Sequence, residues 1–161
     1  MALHDCHSRR RGEVDRFVGA VSDAGTTLVG LNFAAGVMPA GDRGLVSWPG
    51  REPEFRDSVD IAAAIADRLG TRAFNALYGN RAEGTSAEEQ DEVAVANLAV
   101  ATTAAGRVGA TVLLEPVSGA PRYPLRAADV VSVLDRVRKE TGADNLRMLA
   151  DLCHLSVNGD D

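Results

Sequence analysis

Two carboxylates and a histidine in the second half of this sequence, Glu115, Asp151 and His154, are of the right types for a metal or acid–base site. Glu115 ends the run Val112-Leu113-Leu114 and precedes Pro116, and Asp151 ends the run from Leu146 to Ala150. A carboxylate set at the edge of so apolar a segment is costly to bury unless it is paired, protonated or bound to metal. A salt bridge to a neighbouring arginine would satisfy one of them. Two such groups on adjacent strands make a hard oxygen site, and oxygen donors favour Mg²⁺ or Mn²⁺. His154, three residues beyond Asp151, is placed to bind substrate or hold a metal-bound water, with a structural role as the alternative. Asn32 and Asn75 lie on comparable runs, Asn32 near the end of its run and Asn75 in the middle.

The elements that must position these residues recur four times as helix, glycine and apolar strand. The pattern predicts helices over 13–24, 53–69, 86–108 and 126–141, followed by Gly25, Gly70, Gly109 and Gly142. The strands are expected over 26–33, 71–78, 110–115 and 146–151. Pro53 suits a first helical turn, where its missing N–H costs nothing. Phe55, Val59, Ala62, Ala66 and Leu69 recur at helical spacing and give one apolar face. Ser86 and Glu89 form a capping-box pattern ahead of Val93, Val95 and Leu98, and the four glycines fit left-handed helix ends. Strands that are nearly continuous apolar runs are covered on both faces, as in parallel sheets. Helix and strand alternating with short turns imply an α/β fold. In parallel barrels the functional rim is the C-terminal end of the strands, where Asn32, Glu115 and Asp151 would converge. Alternation along a strand puts Glu115 on the face of Thr111 and Leu113.

The segment 34–52 is long and rich in Gly and Pro, and it carries Asp42, Arg43, Trp48 and Arg51. A loop of that length is functional or disordered, and the glycines within it suggest a substrate-covering lid. Arg43, Arg51, Arg81 and Arg122 can each match a substrate carboxylate bidentately. Arg43 joins Asn75 and His154 as a substrate-binding candidate.

Composition limits the function class. The 161 residues carry a net charge of −6, which argues against a nucleic-acid partner because such surfaces show a basic excess. Two cysteines make no disulfide framework, the N-terminal residues lack the apolar run of a signal peptide, and no stretch is long enough to span a bilayer. A cytoplasmic protein without a membrane partner is expected. The string His4-Asp5-Cys6-His7 has no partner pair elsewhere and lacks the spacing of a zinc site. No strand is followed by a dinucleotide or P-loop fingerprint.

Several stretches together resemble the hydroxypyruvate isomerase family. They are Gly30-Leu31-Asn32-Phe33, Pro39-Ala40-Gly41-Asp42-Arg43-Gly44, Pro49-Gly50-Arg51 with Glu54-Phe55-Arg56, and Thr71 to Arg81. Leu114-Glu115-Pro116-Val117-Ser118-Gly119 and Ala150-Asp151-Leu152-Cys153-His154-Leu155 complete the likeness, which covers residues 16–161 in one register. The resemblance implies a partial (β/α)8 TIM barrel of the xylose-isomerase-like kind, with about four of the eight strands, equivalent to strands 3–6. It divides the chain into a non-family extension over 1–12 and a barrel domain over 13–161. It further implies an aldose–ketose type isomerase of glyoxylate metabolism that interconverts hydroxypyruvate and tartronate semialdehyde, or a related 2-oxo sugar acid. Glu115 matches the family's first catalytic glutamate, which also faces the metal, and Asp151 matches a metal ligand on the next strand. The family's second catalytic glutamate lies on the last barrel strand and has no counterpart here. The expectation is therefore a fragment that binds metal weakly and catalyses poorly alone, with open sheet edges that favour pairing into a homo-oligomer. A non-catalytic binding module and a sugar epimerase of the same superfamily are the alternatives.

Overall fold

The computed structural model describes residues 3–118 and 125–160. The order is α1 (Leu3–Asp23), β1 (Gly30–Asn32), α2 (Glu52–Leu69), β2 (Ala73–Leu77), α3 (Ala87–Arg107), β3 (Thr111–Glu115), α4 (Ala127–Thr141), β4 (Leu146–Met148) and α5 (Leu152–Asn158). The four strands form one parallel sheet in the sequential order β1-β2-β3-β4. A doubly wound sheet reverses its strand order at a switch point, whereas a barrel wall adds each strand beside the last. Burial agrees with the barrel wall. Phe74, Ala76, Val112, Leu114 and Leu146 point into the helical layer and are almost completely buried. Ala73, Asn75, Thr111 and Leu113, on the opposite face, are only half-buried. This is an α/β partial barrel: the helix–strand alternation implied the α/β class, and the family resemblance implied the barrel.

The local signals hold. Gly25, Gly70, Gly109 and Gly142 all take positive φ, from 62° to 73°. The face predicted on α2 supplies Phe55, Val59, Ala62 and Ala66 to the core, joined by Ile65, while Leu69 is half-buried. Ser86 Oγ accepts from the Glu89 N–H, and the Glu89 carboxylate accepts from the Ser86 N–H, closing the capping box. All four strands are shorter than expected, β1 the most. β1 starts at Gly30 because its neighbour begins at Ala73, its register partner. Just before that point the Leu28 carbonyl accepts from the Thr71 hydroxyl instead of a strand amide. β4 stops at Met148, although Leu149 N–H still donates to the Leu114 carbonyl at 2.9 Å.

The segment 34–51 is not a free lid. Leu45, Val46 and Ser47 are fully buried, and Gly44 bridges Tyr78 in antiparallel fashion. Asn97 Nδ2 donates to the Val46 carbonyl at 2.9 Å, and Gln90 Nε2 donates to that of Ser47 at 3.3 Å. Farther out, Arg51 donates to Asp42 at 2.6 Å and to Glu54 at 2.8 Å, and lies over the Trp48 ring. Of the glycines in this segment, Gly36 and Gly44 let the chain pass where side chains could not. A Cβ on Gly44 would sit 2.1 Å from the Leu77 carbonyl oxygen. No helix among the described residues is long and apolar enough to cross a membrane.

Candidate functional site

The site begins with two neighbouring strands. Asn75 in β2 is in register with Leu113 in β3, so Glu115, two residues farther on, lies diagonally across on the same face. Asn75 Nδ2 donates to Glu115 Oε2 at 2.6 Å. Glu115 is 8% exposed, which makes it the only buried carboxylate among the described residues. Its partners there are an amide and an imidazole, where the sequence alternative had an arginine. Asn75 Oδ1 is buried and accepts no hydrogen bond, leaving an open acceptor beside the glutamate.

The third element corrects the sequence reading. Asp151 does not lie on a strand end; it is the N-cap of α5, a helix that stands where the strand was expected to run into a loop. Its Oδ1 accepts from the N–H groups of Cys153 at 2.9 Å and His154 at 3.1 Å. The His154 N–H is the main cause of a carboxyl held below its usual range, with the Cys153 N–H and the nearby imidazole adding to it and burial opposing. Asp151 followed by Gly159 at φ 84° brackets the helix with ordinary start and stop signals. The run of apolar residues before Asp151 masked them.

Helix α5 carries His154 to the glutamate. Asn158, at its last turn, is buried and donates to the carbonyls of Pro116 at 3.2 Å and Leu125 at 2.9 Å. His154 Nε2 then lies 3.9 Å from Glu115 Oε1, and its Nδ1 lies 2.7 Å from Ser118 Oγ. One ligand-type atom from each of Glu115, Asp151 and His154 falls within 4.8 Å of the others. Two carboxylates this close repel unless a cation or proton lies between them. Two hard oxygen donors beside an unsatisfied amide oxygen fit a divalent ion such as Mg²⁺ or Mn²⁺.

The other sequence candidates lie elsewhere. Arg43 donates to the carbonyls of Met38 and Asp42 within its own loop. Arg51 is held by Asp42 and Glu54. Arg81 pairs with Asp91 at 3.1 Å and lies over the Tyr78 ring. Arg122 and the side chains of His4, Asp5, Cys6 and His7 fall outside the described residues. Asn32 is in register with Asn75 but is exposed at the rim of β1. Ser118 and Asn158 were not singled out from the sequence, because both act through contacts more than 30 residues away.

The Xylose isomerase-like TIM barrel family model matches residues 4–161. A Streptomyces coelicolor protein named "Putative hydroxypyruvate isomerase" is 48% identical over 161 residues, covering 98% of this chain and 58% of its own. A Cupriavidus necator protein named 2-oxo-tetronate isomerase is 34% identical over 135 residues, covering 83% of this chain and 51% of its own. This chain thus spans a little over half the length of these relatives. Among solved structures, the AP endonuclease, family 2 from Brucella melitensis superposes with a TM-score of 0.76 at 29% identity. That match covers 92% of this chain and 57% of the other.

Proposed function

Because this chain belongs to the xylose isomerase-like TIM barrel family, we propose that Glu115, Asp151 and His154 are part of an isomerase active site. The proposed reaction interconverts hydroxypyruvate and tartronate semialdehyde, or a closely related 2-oxo sugar acid. The observation that carries this reading is the convergence of the three side chains within 4.8 Å at the C-terminal rim of a parallel sheet. The isomerase names of the two relatives support the reaction class. The net charge of −6 argues against a nucleic acid as substrate.

The reaction moves a proton between neighbouring carbons through an enediolate. Glu115 acts as a general acid/base, working from the carboxylate oxygen that Asn75 leaves open. Asn75 fixes the plane of that carboxylate, and the N-capping bonds fix Asp151. His154 faces the same space and is suited to orient a substrate oxygen. Glu115 and Asp151 would hold Mg²⁺ or Mn²⁺, and the ion would supply Lewis-acid stabilisation of the developing oxyanion.

The test is turnover of hydroxypyruvate by the full-length protein with added Mg²⁺ or Mn²⁺, against Glu115→Gln. The substitution should lower kcat by about 100-fold or more, the usual contribution of a positioned acid/base. A variant with the parent rate would remove Glu115 from this role, and a parent without turnover would remove the isomerase reading.

A further inference from the structure

His154 is held from its far side. Ser118 N–H donates to His154 Nδ1 at 3.3 Å, and the Ser118 hydroxyl lies 2.7 Å from the same nitrogen. A backbone N–H can only donate, so Nδ1 must present its lone pair. In a neutral imidazole the other nitrogen then bears the hydrogen, and that nitrogen, Nε2, faces Glu115 Oε1 at 3.9 Å. A lone pair on Nε2 would suit a metal ion, whereas an N–H suits an oxygen acceptor. We infer that Ser118 is a positioning residue that selects the Nε2–H form of His154, so the ring enters the cluster as a hydrogen-bond donor and leaves Glu115 and Asp151 as the ionic ligands.

The chain supplies the means locally. Ser118 follows Glu115 by three residues, so one strand end carries both the glutamate and the group that orients its neighbour. Asn158 fastens α5 to the Pro116 carbonyl of that same strand end, which keeps the ring seated against Ser118. The orientation depends only on these contacts; its consequence for a substrate oxygen rests on the isomerase reading.

The experiment is long-range ¹⁵N–¹H NMR of the histidine side chains in the metal-free protein, at a pH where the imidazole is neutral. His154 is assigned by its loss in His154→Gln. A pyridine-type Nδ1 and a pyrrole-type Nε2 are expected. Ser118→Pro, which removes the backbone N–H together with the hydroxyl, should move the tautomer ratio toward Nδ1–H by about three- to tenfold, the equilibrium effect of one hydrogen bond. Ser118→Ala and Ser118→Thr, which keep the backbone N–H, should keep the parent preference. A pyrrole-type Nδ1 in the parent, or a ratio that Ser118→Pro leaves unmoved, overturns the inference. Because the measurement needs neither metal nor turnover, it stands apart from the test of the isomerase activity.

Discussion

Asn75 Nδ2 binds one carboxylate oxygen of Glu115 at 2.6 Å, which leaves the other oxygen turned toward His154. The amide thereby decides which oxygen is open for work and fixes the direction in which it points. Groups that orient a metal ligand from behind matter nearly as much as the ligand, with typical losses of about 10- to 100-fold on removal. Asn75→Ala is therefore expected to weaken Mn²⁺ binding by about that factor, measured calorimetrically. Unchanged affinity would mean that Glu115 holds its position without the amide.

Asn158 should be as important to the site as it is to the fold. It is buried, and its Nδ2 serves the carbonyls of Pro116 and Leu125 together. Asn158→Ala strands both acceptors and should cost about 1–3 kcal/mol. Hydrogen exchange at the α5 amides is expected to rise with it, whereas unaltered protection would show that the helix is held by other contacts.

Gly44 is irreplaceable for two reasons that add. Its φ is 126°, and a Cβ there would lie 2.1 Å from the Leu77 carbonyl oxygen. Gly44→Ala should cost about 2–4 kcal/mol through strain and overpacking. That corresponds to a fall in Tm of about 5–15 °C for a domain of this size. An unshifted Tm would show that the bridge to Tyr78 gives way without loss.

Acid should loosen the outer part of the same segment. The hydrogen-bonded Arg51 guanidinium, followed by the Val37 N–H, holds the Asp42 carboxyl below its ordinary value of 3.8. A carboxyl with a depressed folded value contributes stability above the unfolded value and loses it as pH falls through the folded one. Trp48, the single tryptophan, lies under Arg51 and reports the event. Its emission should hold steady from about pH 8 to about pH 5 and change only below about pH 4. Asp42→Asn should show the acid-form emission at neutral pH. A transition centred near neutrality would contradict this.

The parts of the molecule legible in the sequence are those governed by local rules. Left-handed glycines, the Ser86–Glu89 capping box and the apolar face of α2 depend on neighbours within a turn or two, and each appears as expected. Glu115 was legible because a carboxylate ending so apolar a run needs a partner. The missed parts depend on distant chain. Whether segment 34–51 is a lid depends on Asn97 and Gln90, which reach its carbonyls from α3. Asp151 read as a strand end because the residues before it are apolar, while β4 actually ends where its pairing with β3 does, at Met148. Asn75 looked marginal in mid-strand, yet the register with β3 sets it beside Glu115.

The central claim is that the Glu115 and Asp151 carboxylates act together on one divalent cation. Mn²⁺ titration of the parent, Glu115→Gln, Asp151→Asn and the double variant tests it most directly. Each single change should lower affinity by about tenfold or more, and the double variant should lose less than the two losses combined, as expected for neighbours sharing one ligand. Parent affinity in either single variant, or losses that simply add, would contradict a shared site.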